Sequence, residues 1–328
     1  MSTLTSIPRE LRDHILGYVI QTNTNDAPDI NQTFEDLVQD RKVFTNPSLN
    51  SWCTTVLYQP ETTIANTTSI LFTNRQLRNE TLENIKRLNA NVCELDVIIL
   101  DEILPLVTWT HVPIFATSYD KVNVTYRISG VYDDQKEVGW IEEGTRVDGP
   151  YTKYGLYKRF RGGNGAGPAI GWQLYSILER FIKAGPTGEG SDKHAHSHIT
   201  VKTIDINVQT PPGVDPSLFR HARSGGYSDR DDSVLDPKHL ATFITQNISC
   251  LLRSEDHEWF RYGSVLFEHV DHVVIKCDGN LISELDVAEC LSDAAGFREH
   301  HLSQEALAVY KETTWKARKQ RGLKVLED

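Results

Sequence analysis

The chain reads Phe160-Arg-Gly-Gly-Asn-Gly-Ala-Gly-Pro168 and continues without a break as Ala-Ile-Gly-Trp-Gln-Leu-Tyr-Ser-Ile-Leu-Glu-Arg-Phe-Ile182. Pro168 suits the first turn of a helix, because its missing N–H would have had no partner there, and Gly185-Pro186 supplies a stop. Apolar residues recur at helical spacing at Ile170, Leu174, Ile177, Leu178, Phe181 and Ile182. The sequence therefore predicts a glycine-rich loop that leads into a core helix over residues 168–184.

The glycines of this loop, Gly163, Gly165 and Gly167, have two interpretations. Their backbone N–H groups could bind a phosphate or carboxylate at the start of the helix, with Arg161 nearby. Against a nucleotide site, their order matches neither dinucleotide-binding nor P-loop spacing, and no lysine follows the last glycine. The structural alternative is that the glycines allow positive φ and close packing beneath the helix.

Composition excludes several classes of protein. The 328 residues carry a net charge of −11, which disfavours general binding to nucleic acid or to an anionic membrane. No apolar segment approaches the length of a membrane span, and the first six residues lack the profile of a secretory signal. We therefore expect an intracellular protein, cytoplasmic or nuclear, with no nucleic-acid and no membrane partner.

The candidate metal ligands are few. Five cysteines contain no C-x-x-C pair, so neither a disulfide framework nor a cysteine zinc site is indicated. His194, His196 and His198 would share one face of a strand and could bind a divalent cation, but no fourth ligand is evident, and we favour an exposed polar entry to a strand. We predict no metal and no cofactor.

The N-terminus predicts an amphipathic helix. Its sequence, Ser6-Ile-Pro-Arg-Glu-Leu-Arg-Asp-His-Ile-Leu-Gly-Tyr-Val-Ile20, carries Leu11, Ile15 and Val19 at four-residue spacing. A polar stretch follows over residues 21–68, in which we expect loops with short helical or strand pieces. A second helix is predicted over residues 73–88.

These N-terminal residues resemble the F-box-like motif of filamentous fungi. The stretch that begins at Ile7 is similar to its opening helix, and Ile70-Leu-Phe-Thr-Asn-Arg-Gln-Leu-Arg-Asn-Glu-Thr-Leu82 resembles its second element. The segment over residues 160–181 resembles uncharacterised fungal F-box-domain proteins. The resemblance implies an intracellular adaptor in which Leu11, Ile15 and Val19 bind an Skp-type adaptor protein, with a possible role as a ubiquitin-ligase substrate receptor.

The rest of the chain mixes strand and helix patterns. Strands are predicted over residues 92–100, 121–128, 199–208 and 269–277, helices over 237–252, 283–295 and 303–321, and a short aromatic connection over 109–115. We therefore predict an α+β fold, with a mixed, mostly antiparallel sheet covered by helices. Residues 1–90 would form the F-box-like helical segment with its polar insertion, packed on an α+β body of residues 91–328.

A second hypothesis places an active centre in that body. Aromatic residues are dense near the irregular segments, and such rings could line an apolar pocket for a hydrophobic small molecule. No nucleophile motif is present, so the reaction would be a cofactor-independent one of cyclase or isomerase type, driven by substrate positioning. Its candidate catalytic residues are Trp109, Arg161, Trp172 and Tyr175, and whether the protein is an enzyme stays open.

Overall fold

The computed structural model of the protein describes residues 4–44, 46, 56–59, 65–102, 104–130, 169–186, 198–220, 234–252, 259–294 and 303–326. Within them, an eight-stranded mixed sheet is combined with helices, which confirms the predicted α+β class.

The strands of the described residues are β1 (Lys42–Phe44), β2 (Val56–Tyr58), β3 (Val92–Leu100), β4 (Leu104–His111), β5 (Ser118–Ser129), β6 (Thr200–Gln209), β7 (Phe219–Arg220), β8 (Val234–Leu235), β9 (Val270–Cys277) and β10 (Asn280–Asp286). The main sheet has the order β1-β2-β4-β3-β5-β6-β9-β10, and β7 pairs with β8 in a separate two-stranded ribbon.

The helices of the described residues are α1 (Arg9–Gln21), α2 (Phe34–Val38), α3 (Thr68–Leu71), α4 (Arg75–Arg87), α5 (Ala169–Ala184), α6 (Pro237–Leu252), α7 (Trp259–Phe267), α8 (Val287–Asp293) and α9 (Gln304–Gln320). Two 3-10 turns, Leu4–Ser6 and Pro216–Leu218, complete the set. The helix predicted over residues 73–88 begins at Arg75 because the Asn74 side chain caps it, accepting a hydrogen bond from the Leu77 N–H.

The sheet is mixed, as predicted, but the expectation that it is mostly antiparallel is wrong. Four of its strand pairings are parallel and three are antiparallel. The reason lies in the connections, because α5 separates β5 from β6 in the chain, and α6 and α7 separate β6 from β9. Such crossovers return the chain to the same end of the sheet, so that the next strand runs parallel to the last.

The main core lies between one face of the sheet and the helices. Val124, Ile206 and Ile275 lie side by side on three neighbouring strands and are buried. All six apolar residues predicted for the inner face of α5 are buried as well. The alternation of β5 and the helical period of α5 thus specify two surfaces that bury each other.

The described residues cover the opposite face of the sheet only in part. Around β2, β3 and β4 a second, smaller core contains Leu57, Ile98 and Leu106, with Leu37 of α2 packed over it. Across β5, β6 and β9 the same face is polar: the Asp205 carboxylate accepts from Lys121 Nζ at 2.6 Å and from Lys276 Nζ at 2.7 Å.

Two local predictions were wrong. Residues 109–111, predicted as part of a connection, belong to β4, whose Leu104 and Leu106 face the smaller core while Val107 and Trp109 face the main one. A strand buried on both faces has no polar alternation to reveal it. Residues 283–286, predicted as the start of a helix, form the end of β10, and the helix starts only after Asp286, whose carboxylate caps it.

The N-terminal segment is joined to the body by the sheet itself. β1 and β2 precede residue 90, and β2 pairs in parallel with β4 through Leu57 and Leu106. The Arg180 guanidinium of α5 lies 3.7 Å from the centre of the Tyr58 ring and 4.5 Å from that of Phe44.

Among the described residues, no helix has both the length and the apolar character to cross a membrane.

Candidate functional site

A cleft of about 340 Å³ opens beside α5, α7 and the residues that lead into β6 and β9. It is lined by Tyr175, Glu179, Ile182, Lys183, His198, Tyr262, Ser264, Val265, Glu268 and His269. This volume lies at the lower end of the range for small-molecule sites in proteins.

One polar stripe of α5 forms a wall of the cleft. Tyr175, Glu179 and Lys183 are spaced four residues apart, so that they share one face of the helix. Tyr175 and Glu179 are buried, whereas Lys183 reaches the surface. The stripe lies beside the apolar face through which α5 packs on the sheet. That packing fixes the position of the helix and therefore of the three side chains.

The Glu179 carboxylate is surrounded by hydrogen-bond donors. Its Oε1 accepts from Lys183 Nζ at 2.6 Å and from the Tyr175 hydroxyl at 3.2 Å. Its Oε2 accepts from Asn46 Nδ2 at 2.6 Å. The buried charge is thus paired and hydrogen-bonded, which is the condition for keeping a carboxylate inside a protein.

His269 contributes a neutral imidazole. Its Nδ1 lies 2.9 Å from the backbone oxygen of Ile199, and because a carbonyl oxygen only accepts, Nδ1 carries the proton and Nε2 the lone pair. Burial lowers the pKa of His269 to about 3, and the positive charge of Arg321 and the neighbouring His198 act in the same direction. At physiological pH His269 is therefore an acceptor through Nε2.

The rings of Trp172, Tyr175 and Tyr262 meet beside the N-terminal half of α5. The ring centres of Tyr175 and Tyr262 lie 5.3 Å apart with their planes at 80°. Trp172 lies 4.8 Å from Tyr262 and 6.1 Å from Tyr175. Edge-to-face pairs of this kind hold their members in defined orientations.

The structure brings together two of the four predicted catalytic residues. Trp172 and Tyr175 are neighbours, and Tyr175 lines the cleft. Trp109 lies elsewhere: it is 2% exposed and its ring packs on Phe181, 5.0 Å away, in the core. The cause is its place on β4, which faces the C-terminal half of α5.

Several predicted residues cannot be placed. Arg161, Gly163, Gly165, Gly167, His194 and His196 lie outside the described residues. His198 is described, lines the cleft, and has its ring centre 5.0 Å from that of His269. No group of three His, Cys, Asp or Glu side chains with a metal-binding arrangement occurs in the described part of the chain.

Sequence reasoning assigned no role to Glu179 or His269. His269 lies at the start of the strand predicted over residues 269–277, and its Nδ1 bonds the residue before β6, a contact that no local pattern records. Tyr175, Glu179 and Lys183 follow one another at i, i+4 and i+8, beside the apolar face of the helix. A polar stripe on such a helix ordinarily faces solvent, so the spacing alone did not indicate that Tyr175 and Glu179 are buried.

A second candidate surface lies on α1. Leu11 is 54% exposed, Ile15 41% and Tyr18 75%, so these three residues form an exposed apolar stripe at i, i+4 and i+7. Val19, the third residue predicted for this surface, is half-buried, because it lies nearer to the face that packs inward.

The inward face of α1 is fixed by an ion pair. Arg12 donates to both oxygens of Glu80 on α4, with Nε–Oε2 of 2.8 Å and Nη2–Oε1 of 2.6 Å. Leu16 and Ile20 are buried on the same side. A surface cleft of about 460 Å³ between α1 and α4 includes Tyr18 at the border of the stripe.

The described residues thus present a polar, aromatic-walled cleft and an exposed apolar helix stripe. No family model, no curated protein and no solved structure matches this chain. A role must therefore be inferred from the chemistry of these two surfaces.

Proposed function

We propose that this protein is an F-box-like adaptor, in which α1 binds an Skp-type adaptor protein and the body of residues 91–328 binds a second protein. In that role the chain would serve as the substrate receptor of a ubiquitin ligase. The proposal extends the resemblance of the N-terminal sequence to the F-box-like motif.

The exposed stripe of α1 is the observation that supports it. Single exposed apolar residues are ordinary on protein surfaces, but Leu11, Ile15 and Tyr18 are contiguous on one side of the helix. Helices that dock into the groove of a partner use anchors at i, i+4 and i+7. The stripe has this spacing, and the Arg12–Glu80 pair holds the helix so that the stripe points outward.

The test is capture by a purified Skp-type adaptor protein. Wild-type protein should be captured, and the double substitution Leu11→Asp with Ile15→Asp should reduce capture at least about tenfold, because two apolar anchors are replaced by charges. Since both side chains are exposed, the circular dichroism and melting temperature of the double variant should match those of the wild type.

A matched control uses two exposed apolar residues elsewhere. Leu281→Asp with Val309→Asp adds the same charge on β10 and α9 and should leave capture unchanged. Absence of wild-type capture, under conditions in which an authentic F-box protein is captured, would remove the proposed role.

The enzyme hypothesis has less support from the geometry. It required an apolar pocket bordered by Trp109, Trp172 and Tyr175, and the cleft is lined by Tyr175 alone of these three. Glu179, Lys183 and Glu268 also line it, so its wall is partly polar and charged rather than apolar. We therefore propose the adaptor role and treat the cleft as a binding site.

A further inference from the structure

The cleft beside α5 and α7 carries an inference that does not depend on α1. We propose that it binds a small, uncharged, planar molecule with an N–H or O–H donor, whose ring packs against Tyr262 and whose donor bonds His269 Nε2.

The charges of the cleft argue for an uncharged ligand. Glu179 pairs with Lys183 at 2.6 Å, and Glu268 pairs with Arg321 at 2.8 Å. Each carboxylate thus has its own cation, so that the site presents no net charge to attract an anion or a cation. A charged ligand would have to be desolvated without gaining a counter-ion.

The acceptor is His269. Its Nδ1–H is used by the Ile199 oxygen, and within the described residues no hydrogen bond reaches Nε2. His269 lines the cleft, so this free lone pair is an acceptor to which a ligand N–H or O–H could donate. The low pKa of the ring keeps Nε2 unprotonated at physiological pH.

The shape argues for a flat ligand. The Tyr175 and Tyr262 rings stand at 80° to each other, so they form two walls of a corner. A planar ring in such a corner stacks on one tyrosine and meets the edge of the other, which are the two favoured aromatic geometries. The contact of Trp172 with Tyr262 holds the second wall in place.

The probes are indole and 1-methylindole, in which a methyl group replaces the hydrogen of the N–H donor. Titration of full-length protein, followed by protein-observed NMR, should show saturable binding of indole at millimolar concentration. 1-Methylindole should bind about fivefold more weakly, the effect expected for one hydrogen bond to a neutral acceptor. Benzoate and benzamidinium, an anion and a cation of similar size, should bind more weakly than indole.

Two variants locate the site. His269→Leu should abolish the preference for indole over 1-methylindole by weakening indole alone. Tyr262→Leu should weaken both probes at least threefold, since it removes the stacking wall, and it keeps the test decisive if the buried His269→Leu variant fails to fold. Phe72→Leu, the same kind of aromatic loss at an exposed position, should change neither.

Three results would overturn the proposal. The first is no saturable indole binding by the wild-type protein. The second is equal affinity for the two indoles, and the third is unchanged binding by Tyr262→Leu. Tighter binding of benzoate or benzamidinium than of indole would overturn the assignment to an uncharged ligand. None of these results bears on capture through α1, so the two proposals fail separately.

Discussion

Arg318 and Asp271 form an ion pair inside the protein, with 2.7 Å between Nη2 and Oδ1 and a fully buried arginine side chain. The same guanidinium donates to the backbone oxygens of Phe267, Val270 and Lys324. One side chain of α9 thereby fastens the C-terminal helix to the end of α7, the start of β9 and the last described residues.

Replacing this arginine should be strongly destabilising. Arg318→Met would leave Asp271 without its cation and three carbonyl oxygens without their donor, and should lower the free energy of unfolding by about 3–5 kcal/mol. Urea denaturation measures the change. Lys316→Met, which removes a surface pair with Glu312, should leave the midpoint where it is. A near-wild-type midpoint for Arg318→Met would contradict the prediction.

Two helical glycines should respond to alanine with opposite signs. At Gly263 an added Cβ would lie 2.5 Å from the Leu251 backbone oxygen, so Gly263→Ala should destabilise by about 1–3 kcal/mol. At Gly17 the nearest atom, Leu88 Cδ1, is 3.7 Å away, and Gly17→Ala should stabilise α1 by about 0.5–1 kcal/mol. Thermal unfolding of the two variants measures both changes in stability. A change of the same sign in both would contradict the packing argument.

The Arg12–Glu80 pair should make stability depend on acid pH. Hydrogen bonding from Arg12 lowers the pKa of Glu80 to about 2 from an ordinary value of 4.5. Above pH 4.5 the stabilisation is complete, and as the pH falls toward 2 the unfolded chain takes up the proton first, so the stabilisation is lost. The stability difference between the wild type and Glu80→Gln should therefore shrink across this window.

Chemical denaturation at several pH values tests this expectation. Glu10→Gln, which removes an exposed carboxylate from the same region, is the control for the general loss of one negative charge. A Glu80→Gln difference that stayed constant down to pH 2 would show that the ion pair has no such influence.

Arg180 should contribute through its two aromatic neighbours. Arg180→Met keeps an apolar chain but removes the cation that faces Tyr58 and Phe44, and should cost about 1–2 kcal/mol of stability. Arg78→Met, on the exposed side of α4, should change stability by less than about 0.5 kcal/mol. Equal effects of the two substitutions would indicate that the ring contacts contribute nothing.

Regular periodicity made much of the fold predictable. The helix over residues 237–252 and the strand over 92–100 were predicted with the bounds that the structure has. The helix has one clear period, and the strand is a nine-residue run rich in β-branched residues. β4 was not predicted because it is buried on both faces and contains Pro105, and β10 was not predicted because its exposed residues alternate weakly near the sheet edge. The relative direction of neighbouring strands could not be predicted from the sequence, because the same alternation of apolar and polar residues suits parallel and antiparallel pairing.

The candidate site was less predictable than the fold. The cleft combines Tyr175 and Glu179 of α5 with Tyr262 of α7 and His269 beyond it, and no local pattern records that these elements meet. Trp172 and Tyr175 were predicted from the density of aromatic residues near the irregular segments, and of these two only Tyr175 lines the cleft. The exposure of Leu11 and Ile15 depended on which side of α1 packs against α4, and that choice is made by the Arg12–Glu80 contact, distant in sequence.

The parallel pairing of β2 with β4 has a consequence for the order in which the protein folds. Translation delivers β2 before its partner strand, and before the α5 arginine that covers Tyr58. A nascent chain that ended at residue 90 would contain α1, α4 and the β1–β2 pair, but β2 would lack β4 on its other edge. The part of the molecule that leaves the ribosome first is thus completed only after α5 has been made, and until then its strand edges require protection from other chains.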